Sequence, residues 1–166
     1  MQPSPAPGPR SSSLPVLAHV PPAQLAAWRA FLEAHALTVD NLARELRERE
    51  DLPLTWYDVL VQLQESPEGR LRMQDLADAV LLSKSGVTRL VDRMERAGLV
   101  ERERCTDDRR GTYAALTPAG RQRLRETAPT HLRGVAEHFT ELLDDEEAAV
   151  LERLLLRVVA ANRPER

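Results

Sequence analysis

With 166 residues, 42% hydrophobic and 30% charged, the composition is that of one globular unit with a real core, and the 4% of aromatics leaves that core to Leu, Val and Ala. No apolar run approaches the roughly 20 residues of a membrane span, the N-terminus lacks a basic-then-apolar signal layout, and the single Cys105 has no internal disulfide partner, so a cytoplasmic protein is expected. A net charge of −3 argues on average against nucleic acid, but residues 70 to 125 hold 13 Lys and Arg against 8 Asp and Glu, and a phosphate backbone meets the local field.

Residues 1 to 20 are rich in Pro and Ser without apolar period and read as a disordered tail. From there Leu25, Trp28, Leu32, His35, Val39, Leu42 and Leu46 recur at steps of three and four, which predicts one long helix from about Pro22 to Glu48. Its narrow stripe suits packing on another helix, including one from a second subunit. Thr55 and Asp58 form a capping-box pattern for a second helix, whose buried side is Val59, Leu60 and Leu63 and which "ESPEG" stops. A third, short helix carries Leu76, Ala77 and Val80. Ser83 then caps a fourth, with Val87, Leu90, Val91 and Met94 facing inward and Gly98 at its end.

The third and fourth helices, joined by a short turn, have the form of a helix-turn-helix. The outer face of the second member carries Ser83, Lys84, Ser85, Thr88, Arg89 and Arg93. Small hydroxyls and a lysine at a helix N-terminus suit phosphates and base edges, and an arginine one turn on can fork onto guanine. A solvated amphipathic helix is the competing reading, and the next segment of the chain decides between the two. "LVERERC" and "GTYAALT" are strand-like and flank "TDDRR", which predicts a hairpin with a charged tip: a wing. Arg109 and Arg110 at such a tip suit a narrow, negative minor groove, with Asp108 orienting an arginine by a charge-assisted fork.

Asp108-x-Arg110, five residues, Leu116-Thr117, two residues and Gly120 resemble the wing pattern of the MarR family of winged-helix regulators, and "SGVTRLVDRMERAGLVER" resembles its recognition helix. Cys105-Thr106 stands where the family often has Asp-Pro. The resemblance covers roughly residues 22 to 161 and implies a homodimeric protein that binds double-stranded DNA, most often as a repressor, and is often released by a small molecule.

Thr117-Pro118 starts a fifth helix with Leu124, Leu132, Val135 and Phe139, in which Pro129 and Gly134 are expected to introduce kinks. Asp144 and Glu147 open a sixth, apolar around most of its circumference over residues 148 to 161, which asks for cover from more than one side. The expected fold is therefore mainly α with a small β-wing, divided into a tail (1–20), a dimerisation helix (22–52), a winged helix-turn-helix (53–117) and C-terminal dimerisation helices (118–161).

Catalysis finds no footing. His131 and His138 lie roughly 10 Å apart along one helix axis, too far to share a metal without other ligands, and neither a metal nor a cofactor is expected. Two means of control are open. Trp28, His35, Trp56 and Tyr57, with Arg121, suit an amphipathic pocket for a small aromatic anion. Alternatively Cys105, activated by Arg102 or Arg104, makes the protein a redox-responsive regulator. A winged-helix module that binds only protein is the remaining alternative, and it has no need of phosphate-facing arginines.

Overall fold

In the computed structural model, which describes residues 20–104 and 111–163, six helices carry the chain and one small sheet interrupts them. The order is α1 (Pro22–Glu50), α2 (Leu54–Glu65), a 3₁₀ turn, β1 (Arg70–Arg72), α3 (Met73–Ala79), α4 (Lys84–Arg96), β2 (Val100–Arg104), β3 (Thr112–Leu116), α5 (Pro118–His138), a second 3₁₀ turn and α6 (Asp145–Asn162). This is the mainly helical winged-helix fold with a β-wing that the sequence predicts. The chain divides into two units, Met1–Leu37 and Thr38–Arg166, so that α1 begins in the first and ends in the second. The expected tail, residues 1–20, lies outside the described residues up to its last position. Among the described residues no helix is long and apolar enough to cross a membrane.

The core belongs to the second unit. Leu46, Val59, Leu60, Leu63, Leu76, Val91 and Met94 are fully buried there, each on the side of its helix that the sequence predicts to face inward. The caps are mixed. Ser83 accepts from the Gly86 N–H at 3.1 Å, and Asp144 with Glu147 makes a reciprocal capping box on α6. The expected box at Thr55 and Asp58 is absent, because α2 starts at Leu54: extended Pro53 precedes it, and the Pro53 carbonyl takes the N–H groups of Trp56 and Tyr57. That start leaves Thr55 already inside the first turn. α5 runs through Pro129 as one helix from Pro118 to His138.

The sheet has the order β1-β3-β2, all neighbours antiparallel, with Val100 opposite Leu116 and Arg104 opposite Thr112. β2 and β3 are the two sides of the predicted hairpin. β1 is not legible in the sequence, since three residues are too few to reveal a two-residue alternation; it pairs Leu71 with Ala114 on the far side of β3.

Recognition helix, wing and α5 meet at one carbonyl. Gly98 turns the chain out of α4 in the left-handed region (φ 73°). The next carbonyl, Leu99 O, accepts from the Thr117 N–H at 3.3 Å, and the Thr117 hydroxyl lies 3.0 Å from it and 2.7 Å from Gly98 O. The same hydroxyl oxygen accepts the Gly120 N–H at 3.0 Å and so caps α5. Gly120 permits this approach: a Cβ there would stand 2.1 Å from Leu99 O.

The two glycines therefore differ in kind. A Cβ at Gly98 meets nothing, so Gly98→Ala should cost only the left-handed backbone preference, about 1–2 kcal/mol. Gly120→Ala drives a methyl into backbone and should cost more, about 3 kcal/mol, near the upper end of the overpacking range. Urea unfolding of the two variants beside the parent checks the order; equal losses would contradict the close approach at Leu99.

Candidate nucleic-acid interface

α4 turns one side to the core and the other to solvent. Val87, Leu90, Val91 and Met94 are buried, while Ser83, Lys84, Ser85, Thr88, Arg89 and Arg93 are all exposed. Their roles separate once the hydrogen bonds are followed. Ser83 is engaged by the cap, and its hydroxyl sits 3.3 Å from that of Ser85. Thr88 donates its hydroxyl to the Lys84 carbonyl at 2.8 Å. Lys84, Arg89 and Arg93 make no ion pair with another described residue, so three cations stand unneutralised on the outer face.

A fourth cation, Arg102, fixes this helix. Arg102 on β2 binds Asp92 and Glu95 of α4, each at 2.6 Å, and reaches the Thr88 carbonyl at 3.3 Å. Its backbone N–H also donates to Glu95 at 3.2 Å. The pattern Asp-x-x-Glu near a helix end, followed by arginine in the next strand, is the sequence signal that could have located the clamp. It occupies Arg102 in holding α4 to the wing.

At the base of the wing, Arg70 pairs with Glu103 at 2.8 Å across the sheet, and the guanidinium carbons of Arg70 and Arg72 lie 5.0 and 5.6 Å from the Tyr113 ring centre. These contacts brace the strands leading to the tip. The tip itself, with Asp108, Arg109 and Arg110, and Cys105 beside it, lies outside the described residues.

The residues expected to hold a small ligand fall in both units, Trp28 and His35 in the first and Trp56, Tyr57 and Arg121 in the second. Trp28 and His35 lie on exposed parts of α1, each near Phe31 with ring centres about 6 Å apart. Trp56 packs partly buried against the core, and Arg121 donates to Gln64 at 3.2 Å with its guanidinium lying against Gly69. A cleft of about 320 Å³ opens between α2, the turn after α3, and α5, with Tyr57 of the expected residues and Asp58, Gln62 and His131 among its walls. The Tyr57 and His131 rings lie 4.2 Å apart, and the buried His131 Nδ1 has no partner among the described residues. Burial lowers the His131 pKa and raises that of Tyr57. Asp58 is exposed as a residue, yet desolvation around its carboxyl pushes it up to about 6. Leu81, on the rim, holds a left-handed backbone (φ 54°) with its side chain 90% exposed.

Comparison with known proteins agrees with this geometry. The profile of the MarR family matches residues 50–111. YkoM, an HTH-type transcriptional regulator of Bacillus subtilis, is 31% identical over 120 residues, 72% of this chain and 76% of that protein. Two regulators from Streptomyces coelicolor share the fold at higher identity. AbsC is 38% identical with a TM-score of 0.80, over 86% of this chain and 95% of its own. Sco3205, solved in complex with DNA, is 35% identical with a TM-score of 0.83, over 88% and 91%.

The cleft gives stability a two-sided pH dependence. His131 is held neutral, so its contribution is lost as pH falls below the ordinary imidazole value of 6.5. Asp58, with a raised folded pKa, acts in the opposite sense: its cost grows as pH rises from 3.8 to about 6 and is constant above. Urea midpoints at several pH values should show His131→Gln gaining on the parent below pH 6.5, and Asp58→Asn gaining on it between 3.8 and 6. Parallel curves for all three proteins would mean that neither group is desolvated.

Proposed function

Because the chain belongs to the MarR family of transcriptional regulators, we propose that it acts as a homodimer on an inverted-repeat operator, represses from it, and is released by a small aromatic or phenolic ligand. The observation that carries the reading is the outer face of α4, where Lys84, Arg89 and Arg93 stand exposed and without ionic partners among the described residues on a helix clamped by Arg102. Such a helix enters the major groove, with Arg89 reading a base edge and Lys84 and Ser85 on phosphates. The hairpin brings Arg109 and Arg110 to the flanking minor groove, and Asp108 orients them.

The sixth helix supports the second copy. None of its 18 residues is buried, although Val150, Leu154, Leu156, Val158 and Val159 are apolar. A shallow groove of about 480 Å³ lined by Leu143, Val150, Leu151 and Leu154 runs along it. The exposed Trp28, Phe31 and Leu32 of α1 need cover in the same way. A two-fold dimer sets two recognition helices about 34 Å apart, one turn of DNA. The ligand enters the Tyr57–His131 cleft, where an apolar wall and an unpartnered ring nitrogen suit an aromatic acid. It releases DNA to the extent that it binds the non-matching dimer more tightly.

Gel shifts on DNA upstream of the protein's own gene test the reading. Arg110→Ala should weaken all sites by about 1–3 kcal/mol and flatten the salt dependence, whereas Arg89→Ala should relax sequence preference. A salicylate-like acid should release the parent protein and fail to release Tyr57→Ala. No shift at low salt would remove the DNA reading altogether.

In sedimentation at micromolar concentration the parent should run as a dimer and Leu154→Asp/Val158→Asp as a folded monomer. A monomeric parent would end the two-fold model.

A further inference from the structure

Where the end of α1 meets the end of α5, three ligand-type side chains converge. Glu45, Glu137 and His138 offer atoms that all lie within 4.8 Å of one another. His138 Nε2 and Glu45 Oε1 are 2.6 Å apart and share a hydrogen. The other carboxylate oxygen, Glu45 Oε2, is buried without a hydrogen-bond partner among the described residues, on a residue only 9% exposed. The nearest cation, Arg49 Nη1, stops 3.9 Å away, beyond hydrogen-bond reach. Native folds rarely leave a buried oxygen of this kind unsatisfied.

The surroundings give the oxygen a closed wall and an open one. Gly134, one turn before His138, lets the carboxylate lie against bare helix: a Cβ there would come within 3.3 Å of Oε2 and 2.8 Å of Leu42 Cδ2. Glu137 is exposed and lies on the open side. Two carboxylates converge here, and the one guanidinium within ion-pair distance of Glu45 among the described residues is that of Arg49, at 3.9 Å.

We propose that Glu45, Glu137 and His138 bind one divalent first-row transition-metal ion, of which zinc is the type. One imidazole and two carboxylates form a nitrogen and oxygen donor set that suits such a borderline cation, with water completing four positions. Bonds of about 2.0–2.2 Å in a tetrahedron hold donors about 3.4 Å apart, so the site forms as His138 Nε2 and Glu45 Oε1 part from 2.6 Å and exposed Glu137 rotates in. The ion takes the place of the hydrogen between His138 and Glu45. Nε2 then coordinates through its lone pair while the ring keeps its proton on Nδ1; a ring protonated on both nitrogens releases one proton to solvent. With Glu45 binding through both oxygens, the orphaned Oε2 gains the partner it lacks. Because the ligands come from helices 93 residues apart in sequence, the ion ties α1 to α5 and stabilises the folded state by mass action.

The test is a zinc and cobalt titration of the full chain without an affinity tag, read by calorimetry, cobalt d–d absorption and thermal unfolding. The parent should bind one equivalent per chain and melt several degrees higher at about 100 µM zinc. Glu137→Gln changes an exposed residue and keeps the fold; it should weaken zinc by about tenfold or more. His138→Gln should abolish the cobalt spectrum, and if that variant fails to fold, Glu137→Gln carries the test. No uptake by the parent at about 100 µM, or a titration unchanged in Glu137→Gln, overturns the site.

Discussion

The approach of α5 to the Leu99 carbonyl is the constraint on which the rest of the reading head depends. One oxygen receives the Thr117 backbone, lies within reach of the Thr117 hydroxyl, and leaves no room for a side chain at residue 120. Recognition helix, wing and α5 are thereby held at one point, since α4 ends just before it, β2 starts just after it, and β3 returns to it through Leu116. Arg102 adds a second fastening one strand pair away. The spacing Leu-Thr-x-x-Gly is thus a packing rule, with threonine as cap and glycine as the absence of a methyl group.

The basic island of residues 70 to 125 is less uniform than its charge suggests. Arg70 and Arg102 are engaged with acids of the same unit, Arg123 donates to the Glu50 carbonyl at the end of α1, and Arg121 serves the turn after α2. These cations hold elements together. Lys84, Arg89 and Arg93 on one face of α4, together with Arg104 at the end of β2, have no ionic partner among the described residues. Local charge therefore overstates the surface a polyanion would meet, while its position is given by the residues without partners.

Much of the fold is readable from the chain alone, because its signals are local. The inward face of α4, the Ser83 cap, the Gly98 exit and the Asp144 capping box each arise from residues within one or two turns of each other. Legibility fails where local rules compete or where contacts are distant. Thr55 and Asp58 offer a good capping pattern, but Pro53 begins the helix earlier. β1 is too short to carry a period. Of the rings the sequence points to, Tyr57 lines the cleft, while its ring partner His131 is not singled out, because residue type does not say which side of a helix a ring takes. His138 looks isolated along its own helix, yet its partner Glu45 lies 93 residues away.

The Thr88 hydroxyl, turned inward to the Lys84 carbonyl, has a consequence for what α4 can discriminate. A hydroxyl has one hydrogen, and in this rotamer it is committed to the helix backbone. What remains outward is a pair of lone pairs and a methyl group. Such a surface accepts from the exocyclic amine of adenine or cytosine and packs against the methyl of thymine. On the proposed DNA reading such a residue has no donor for the two acceptors of guanine, and the proton kept inside would shape the preference of this face as much as the cations around it.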